Sequence, residues 1–81
     1  MFQNRVETGE GIFEIHVEAE PGFGGYYLQV YYGYEENGEW HLHPVLEDGE
    51  GGYALAPGGF ALSPDSIKAV EEMMAELKSA L

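Results

Sequence analysis

The chain reads as an α+β domain, a four-stranded antiparallel β-meander with one C-terminal helix packed on one face. Three observations predict it. Residues Ile12 to Glu20 alternate apolar and polar with the period of a half-buried strand. Asn37-Gly38 sits between two aromatic runs, a strong hairpin signal. From Ile67 onward the apolar residues change to helical spacing. All of this lies in a single domain, residues 1–81, small enough to bury only about 60–65% of its unfolded surface.

Residues 1–11 show no sustained period and read as a lead-in or a short edge strand. In Ile12 to Glu20, Phe13, Ile15, Val17 and Ala19 point one way and Glu14, His16, Glu18 and Glu20 the other. Pro21-Gly22-Phe23-Gly24-Gly25 supplies a turn. Tyr26 to Tyr34 is rich in the aromatic and branched residues that suit a pleated surface. Tyr26, Leu28, Val30 and Tyr32 share one of its faces, and Tyr27, Gln29 and Tyr31 the other. The returning strand, Glu39 to Val45, is expected to put Trp40 and Leu42 inward and His41 and His43 outward. Pro44 cannot donate to a ladder and marks an edge or an end. An acidic glycine-rich loop (47–52) leads to Tyr53–Ala56 and Phe60–Leu62, one interrupted strand or two short ones. The helix is predicted over 64–80. Ser63 caps it, Pro64 takes the first helical position and Asp65 suits the positive end of the dipole. Ile67, Val70, Met74, Leu77 and Leu81 form its apolar stripe, widened by Met73 and Ala80, and Lys68 can pair with Glu72 on the exposed side.

Charge narrows the function classes. Only Arg5, Lys68 and Lys78 are basic, against 15 acids, for a net charge of -12. Twelve of those acids lie between Val6 and Ile67, where no lysine or arginine occurs. Solubility needs a magnitude of only about 2–8, and self-repulsion at this density opposes folding. Salt adaptation would favour more than two aspartates beside thirteen glutamates. Phosphate binding requires Lys and Arg to displace counterions, so direct nucleic-acid binding is disfavoured. The absence of cysteine excludes disulfides and thiol chemistry and fits a cytoplasmic protein. There is no apolar run long enough for a membrane span and no leader-like N-terminus.

With the helix on the apolar face, the outer face is expected to carry Glu14, His16, Glu18, Tyr27, Gln29, Tyr31, His41 and His43. Tyrosines provide apolar area with a polar tip, and carboxylates beside them suit a partner's arginines, which pair with the acids and stack on the rings. The candidate partner-binding residues are therefore Glu14, Glu18, Tyr27 and Tyr31 on the sheet, with Glu35, Glu36, Glu47, Asp48 and Glu50 in the loops. His41 and His43, two apart on a strand, would place their imidazoles about 7 Å apart on one side, with His16 a third metal-site candidate; the expectation is no metal and no cofactor. No pair of carboxylates is set up for acid–base work and no nucleophile motif occurs: Ser63 and Ser66 read as capping and helix-surface residues, and Thr8 stands alone. The chain is expected not to be an enzyme.

Two resemblances add to this reading. Gly59, Phe60, Leu62, Ser63, Pro64 and Asp65, a short apolar strand with Ser-Pro-acid opening the last helix, resemble the tail of the positive cofactor four family of transcriptional coactivators. That resemblance implies a four-stranded antiparallel sheet followed by a helix, a dimer, and single-strand DNA binding on the sheet, although the family's basic contact positions have no counterpart here. In size and charge the chain is also similar to small phage-encoded inhibitors of bacterial defence, including anti-CRISPR proteins that imitate DNA. The leading expectation is a non-enzymatic acidic module that engages a basic, nucleic-acid-binding protein. The alternatives are a diverged single-strand binder, a histidine metal module and a homodimer that covers the tyrosines.

Overall fold

The computed structural model describes residues 4–20, 22, 24–47, 52–55 and 61–80, without the side chain of Leu55. Five strands precede one helix: β1 (Arg5–Thr8), β2 (Gly11–Glu20), β3 (Gly25–Glu36), β4 (Glu39–Glu47), β5 (Tyr53–Leu55) and α1 (Pro64–Ala80). They form one antiparallel meander in the order β1-β2-β3-β4-β5. The α+β class stands, with five strands in place of four. The added strand is β1, which pairs with β2 from Arg5 opposite Glu14 to Thr8 opposite Gly11. Its four residues are too few for a periodic pattern to emerge, and the pairing with β2 makes it a strand. Beyond β5, Ala61 forms an isolated bridge to Ala54, and the Leu62 amide donates to the Tyr53 carbonyl at 3.0 Å. Ala56, Phe60 and Leu81 of the predicted elements lie outside the described residues.

The alternation of β2 translates directly into packing. Phe13 and Ile15 are buried with Val30, Val45, Leu62, Val70 and Leu77, and Ile67, Met73 and Met74 pack against them. The helix lies on the β1–β2 side of the sheet. Val17 and Tyr26 point to the same face but lie past that contact, so both are exposed. At the helix start the Ser63 hydroxyl accepts the Ser66 amide at 3.4 Å, a local cap. A second cap comes from far along the chain: Glu10, in the β1–β2 turn, accepts the Ser63 amide at 2.7 Å. Ser66 is not a surface residue. It is buried at the helix–sheet seam, where its hydroxyl donates to Thr8 Oγ1 at 2.8 Å, so Thr8 does not stand alone either. Among the described residues Lys68 and Glu72 form no ion pair; an exposed pair gains too little to hold two long side chains in one geometry.

The β3–β4 hairpin turns on Asn37 (φ 53°) and Gly38 (φ 80°), both in the left-handed region that the tight two-residue turn requires. This turn sets Glu36 opposite Glu39, Tyr34 opposite His41 and Tyr32 opposite His43. Opposed residues share a face, so His41 and His43 fall on the side of Tyr32 and Tyr34, and Trp40 and Leu42 on the side of Glu35 and Gly33. The expected faces of β4 are thus reversed. A two-residue turn joins even positions of one strand to odd positions of the next, and Val45, not Trp40, reaches the core. At Pro44 the strand leaves β3, and Val45 pairs instead with Leu55 of β5. Gln29 bridges the split, its side-chain amide donating to the Val30 carbonyl (3.0 Å) and the Val45 carbonyl (3.3 Å).

Candidate functional site

The outer face holds a connected polar row built on β1 to β4. Glu14 is at its centre and only 8% exposed. Arg5, opposite it on β1, donates to Oε2 at 2.8 Å, and the Trp40 indole donates to the same oxygen at 2.7 Å. His16 Nε2 lies 3.1 Å from Oε1. The Arg5 guanidinium also sits 4.9 Å from the Trp40 ring centroid. Trp40 can lie flat here because Gly33 is beneath it. A Cβ on Gly33 would come within 2.3 Å of the indole. Burial pushes the Glu14 carboxyl up, but the bonds from His16, Trp40 and Arg5 together outweigh it and hold the group below its ordinary value.

Further along β2, Glu18 binds two tyrosines of β3: Tyr27, which opposes it, and Tyr31, which opposes Glu14. The Tyr27 hydroxyl donates to Oε2 at 2.9 Å and the Tyr31 hydroxyl to Oε1. Hydrogen bonds from Tyr31 and then Tyr27 hold the Glu18 carboxyl below its ordinary value, and the same bond pushes the Tyr31 hydroxyl up to about 12. The His16 ring packs against Tyr31 at 4.9 Å, linking the Glu18 and Glu14 groups. Glu14, Glu18, Tyr27 and Tyr31 therefore lie on one face, as the alternation implies, and they bind one another.

The acids of the β3–β4 turn are arranged differently. Glu35 and Glu36 precede Asn37, Glu39 follows Gly38, and all three are exposed. Glu39 has His41 at 3.8 Å. Beside them Trp40, opposite Glu35, keeps 40% of its surface exposed. Sequence reasoning missed both Glu39 and Trp40 as members of this cluster; the two-residue turn was the available signal. Glu47 ends β4, exposed and away from the turn, while Asp48 and Glu50 lie outside the described residues. Among the described residues the one pairing of a Lys or Arg with a carboxylate is Arg5 with Glu14.

His41 and His43 do share a side, both rings stacking on Tyr34 at 5.3 and 5.2 Å, with the Tyr34 hydroxyl 3.0 Å from His43 Nε2. His16 is on the opposite face and cannot join them. Among the described residues no group of three or more His, Asp or Glu side chains is placed to hold a metal ion, and no helix is long and apolar enough to cross a membrane. Comparison with family models, with curated proteins and with solved structures yields no match.

Proposed function

We propose that this protein is a non-enzymatic acidic binding module whose partner is a basic protein surface of the kind that nucleic-acid-binding proteins present, engaged in place of nucleic acid. One observation carries the reading: the two-residue turn holds Glu35 beside the exposed Trp40 on one face and Glu36 opposite Glu39 on the other, and among the described residues none of the three has a Lys or Arg partner. Glu36 and Glu39 are directly opposed, an arrangement that is destabilising within the chain alone. A partner's guanidinium groups would relieve that repulsion and pair with the carboxylates, while the exposed part of Trp40, whose ring already lies between Gly33 and Arg5, adds an aromatic anchor of the kind found at interface hot spots. Glu14 is left out of this contact set, because Arg5, Trp40 and His16 already occupy its oxygens. Glu18, Tyr27 and Tyr31 extend the face but are satisfied among themselves.

The test is binding to an immobilised arginine-rich peptide over a range of salt. The Glu35→Lys/Glu36→Lys double variant should associate about tenfold more slowly at low salt, with a flatter salt dependence. Equal binding by parent and variant would overturn the proposal. Retardation of single-stranded DNA in a low-salt gel would favour the alternative of a diverged single-strand binder.

A further inference from the structure

A separate feature lies at the other end of β3. Beyond Ile15 the β2–β3 hairpin projects past its neighbours. β1 ends opposite Glu14, apart from one bond from the Ile15 amide to the Asn4 carbonyl, and β4 leaves at Pro44. From Gly25 to Val30, β3 has β2 as its one strand partner among the described residues. Register tells which backbone groups are left over. Glu36 and Glu39 flank a two-residue turn and exchange bonds, so even-numbered residues of β3 aim their N–H and C=O away from β2. At Val30 the carbonyl is taken by Gln29. At Tyr26 and Leu28 both groups face the side of β3 that has no strand beside it among the described residues.

This edge carries none of the usual defences. Natural edge strands are protected by lysine, proline or charge, yet residues 25–34 contain no charged side chain and no proline. The apolar side of the arm is uncovered as well, with Tyr26 72% exposed and Val17 43%. In a chain of net charge -12, this is a stretch where a second copy can approach without facing carboxylates directly.

We infer that the β3 edge pairs antiparallel with the same edge of a second copy, about a two-fold axis at Tyr27. Tyr26 of each copy then exchanges its two backbone bonds with Leu28 of the other, and the two Tyr27 rings meet as a non-hydrogen-bonded cross-strand pair, the closer kind. The antiparallel sense also separates the charges. Glu36 lies nine residues from Tyr27, so each acidic turn falls about 30 Å from the axis, on opposite sides. That exceeds the Debye length of about 8 Å at physiological salt several times over. What repulsion remains comes from nearer acids such as Glu18, and salt weakens it. The dimer thus presents two acidic turns at its far ends. It does not depend on the function proposed above.

Sedimentation of the full chain from micromolar to millimolar concentration should show a monomer–dimer equilibrium that tightens as salt is raised. The Leu28→Pro variant removes an edge donor that faces no partner strand among the described residues and should reduce dimerisation at least about tenfold. Because a proline could also disturb folding, cysteine placement gives a second readout in a chain that has none of its own. Under mild oxidation Tyr27→Cys should yield a disulfide-linked dimer much faster than Glu36→Cys. A chain that sediments as a monomer throughout, including at high salt, overturns the inference. So does equal cross-linking at the two positions, or an edge covered only when a basic partner is added.

Discussion

Glu14 and Glu35 stand on the same face of the same sheet, one on β2 and one on β3, with Trp40 between them. Trp40 opposes Glu35 in register yet turns its indole N–H to Glu14. Glu14 is buried and holds donors from three strands, while Glu35 is exposed beside a second bare acid. One carboxylate organises the fold and the other is left for solvent or a partner. The cross-strand neighbours make the difference: Arg5 and His16 are within reach of Glu14, and among the described residues no Lys or Arg pairs with an acid of the turn. A count of acids therefore says little about what any one of them does.

The largest effect should come from removing the satisfied acid. Glu14→Ala leaves Arg5, Trp40 and His16 without their acceptor and should destabilise the fold by about 2 kcal/mol in chemical denaturation, less than a fully buried pair because Arg5 remains half exposed. If the midpoint does not move, Glu14 is no more structural than Glu35 and the contrast fails. Next is Gly33→Ala. Its methyl group would meet the indole at 2.3 Å, lifting Trp40 off the sheet and away from Glu14. A loss of about 1–2 kcal/mol and a changed tryptophan emission are expected; an unchanged emission would mean that the ring is not seated as described.

pH separates the two kinds of acid further. Glu14 and Glu18 ionise more readily in the folded chain than at their ordinary value of 4.5. The stability they contribute is complete above the unfolded value and is lost as pH falls through the lower folded one. Tyr31 has the opposite sign: raised from 10.0 to about 12, it contributes stability that is complete below 10.0 and lost as pH rises through about 12. Glu18→Gln should bring the Tyr31 ionisation back toward 10.0, read by tyrosinate absorbance. A titration curve identical to the parent's would remove Glu18 as the cause.

The smallest effect sharpens the comparison from the other side. Glu36→Lys turns the opposed Glu36–Glu39 pair into an attractive one and should raise stability by about 0.2–1 kcal/mol. Thermal unfolding that shows a loss instead would mean that the turn acids already have a stabilising role within the chain.

Much of the architecture is legible in the amino-acid order. Alternation from Phe13 to Glu20 is a local property of one strand, so it identified Phe13 and Ile15 as core residues. The helix start at Ser63-Pro64-Asp65 is equally local, because a cap is chemistry between residues three apart. The two-residue turn at Asn37-Gly38 also carried the β4 faces in its parity, and reading it through would have put His41 and His43 beside Tyr34 rather than beside Glu14.

Other features had no trace in any single segment. The cap that Glu10 adds to Ser63 joins residues 53 apart, and the burial of Ser66 follows from where the helix meets Thr8. Glu14 looked like one more surface acid until β1 brought Arg5 opposite it and the bare backbone of Gly33 let Trp40 lie down over the sheet. Periodicity, turn chemistry and capping depend on neighbours along the chain, so the amino-acid order alone determined them. Which acids are neutralised depends on neighbours across strands, and only the paired and folded sheet decided that.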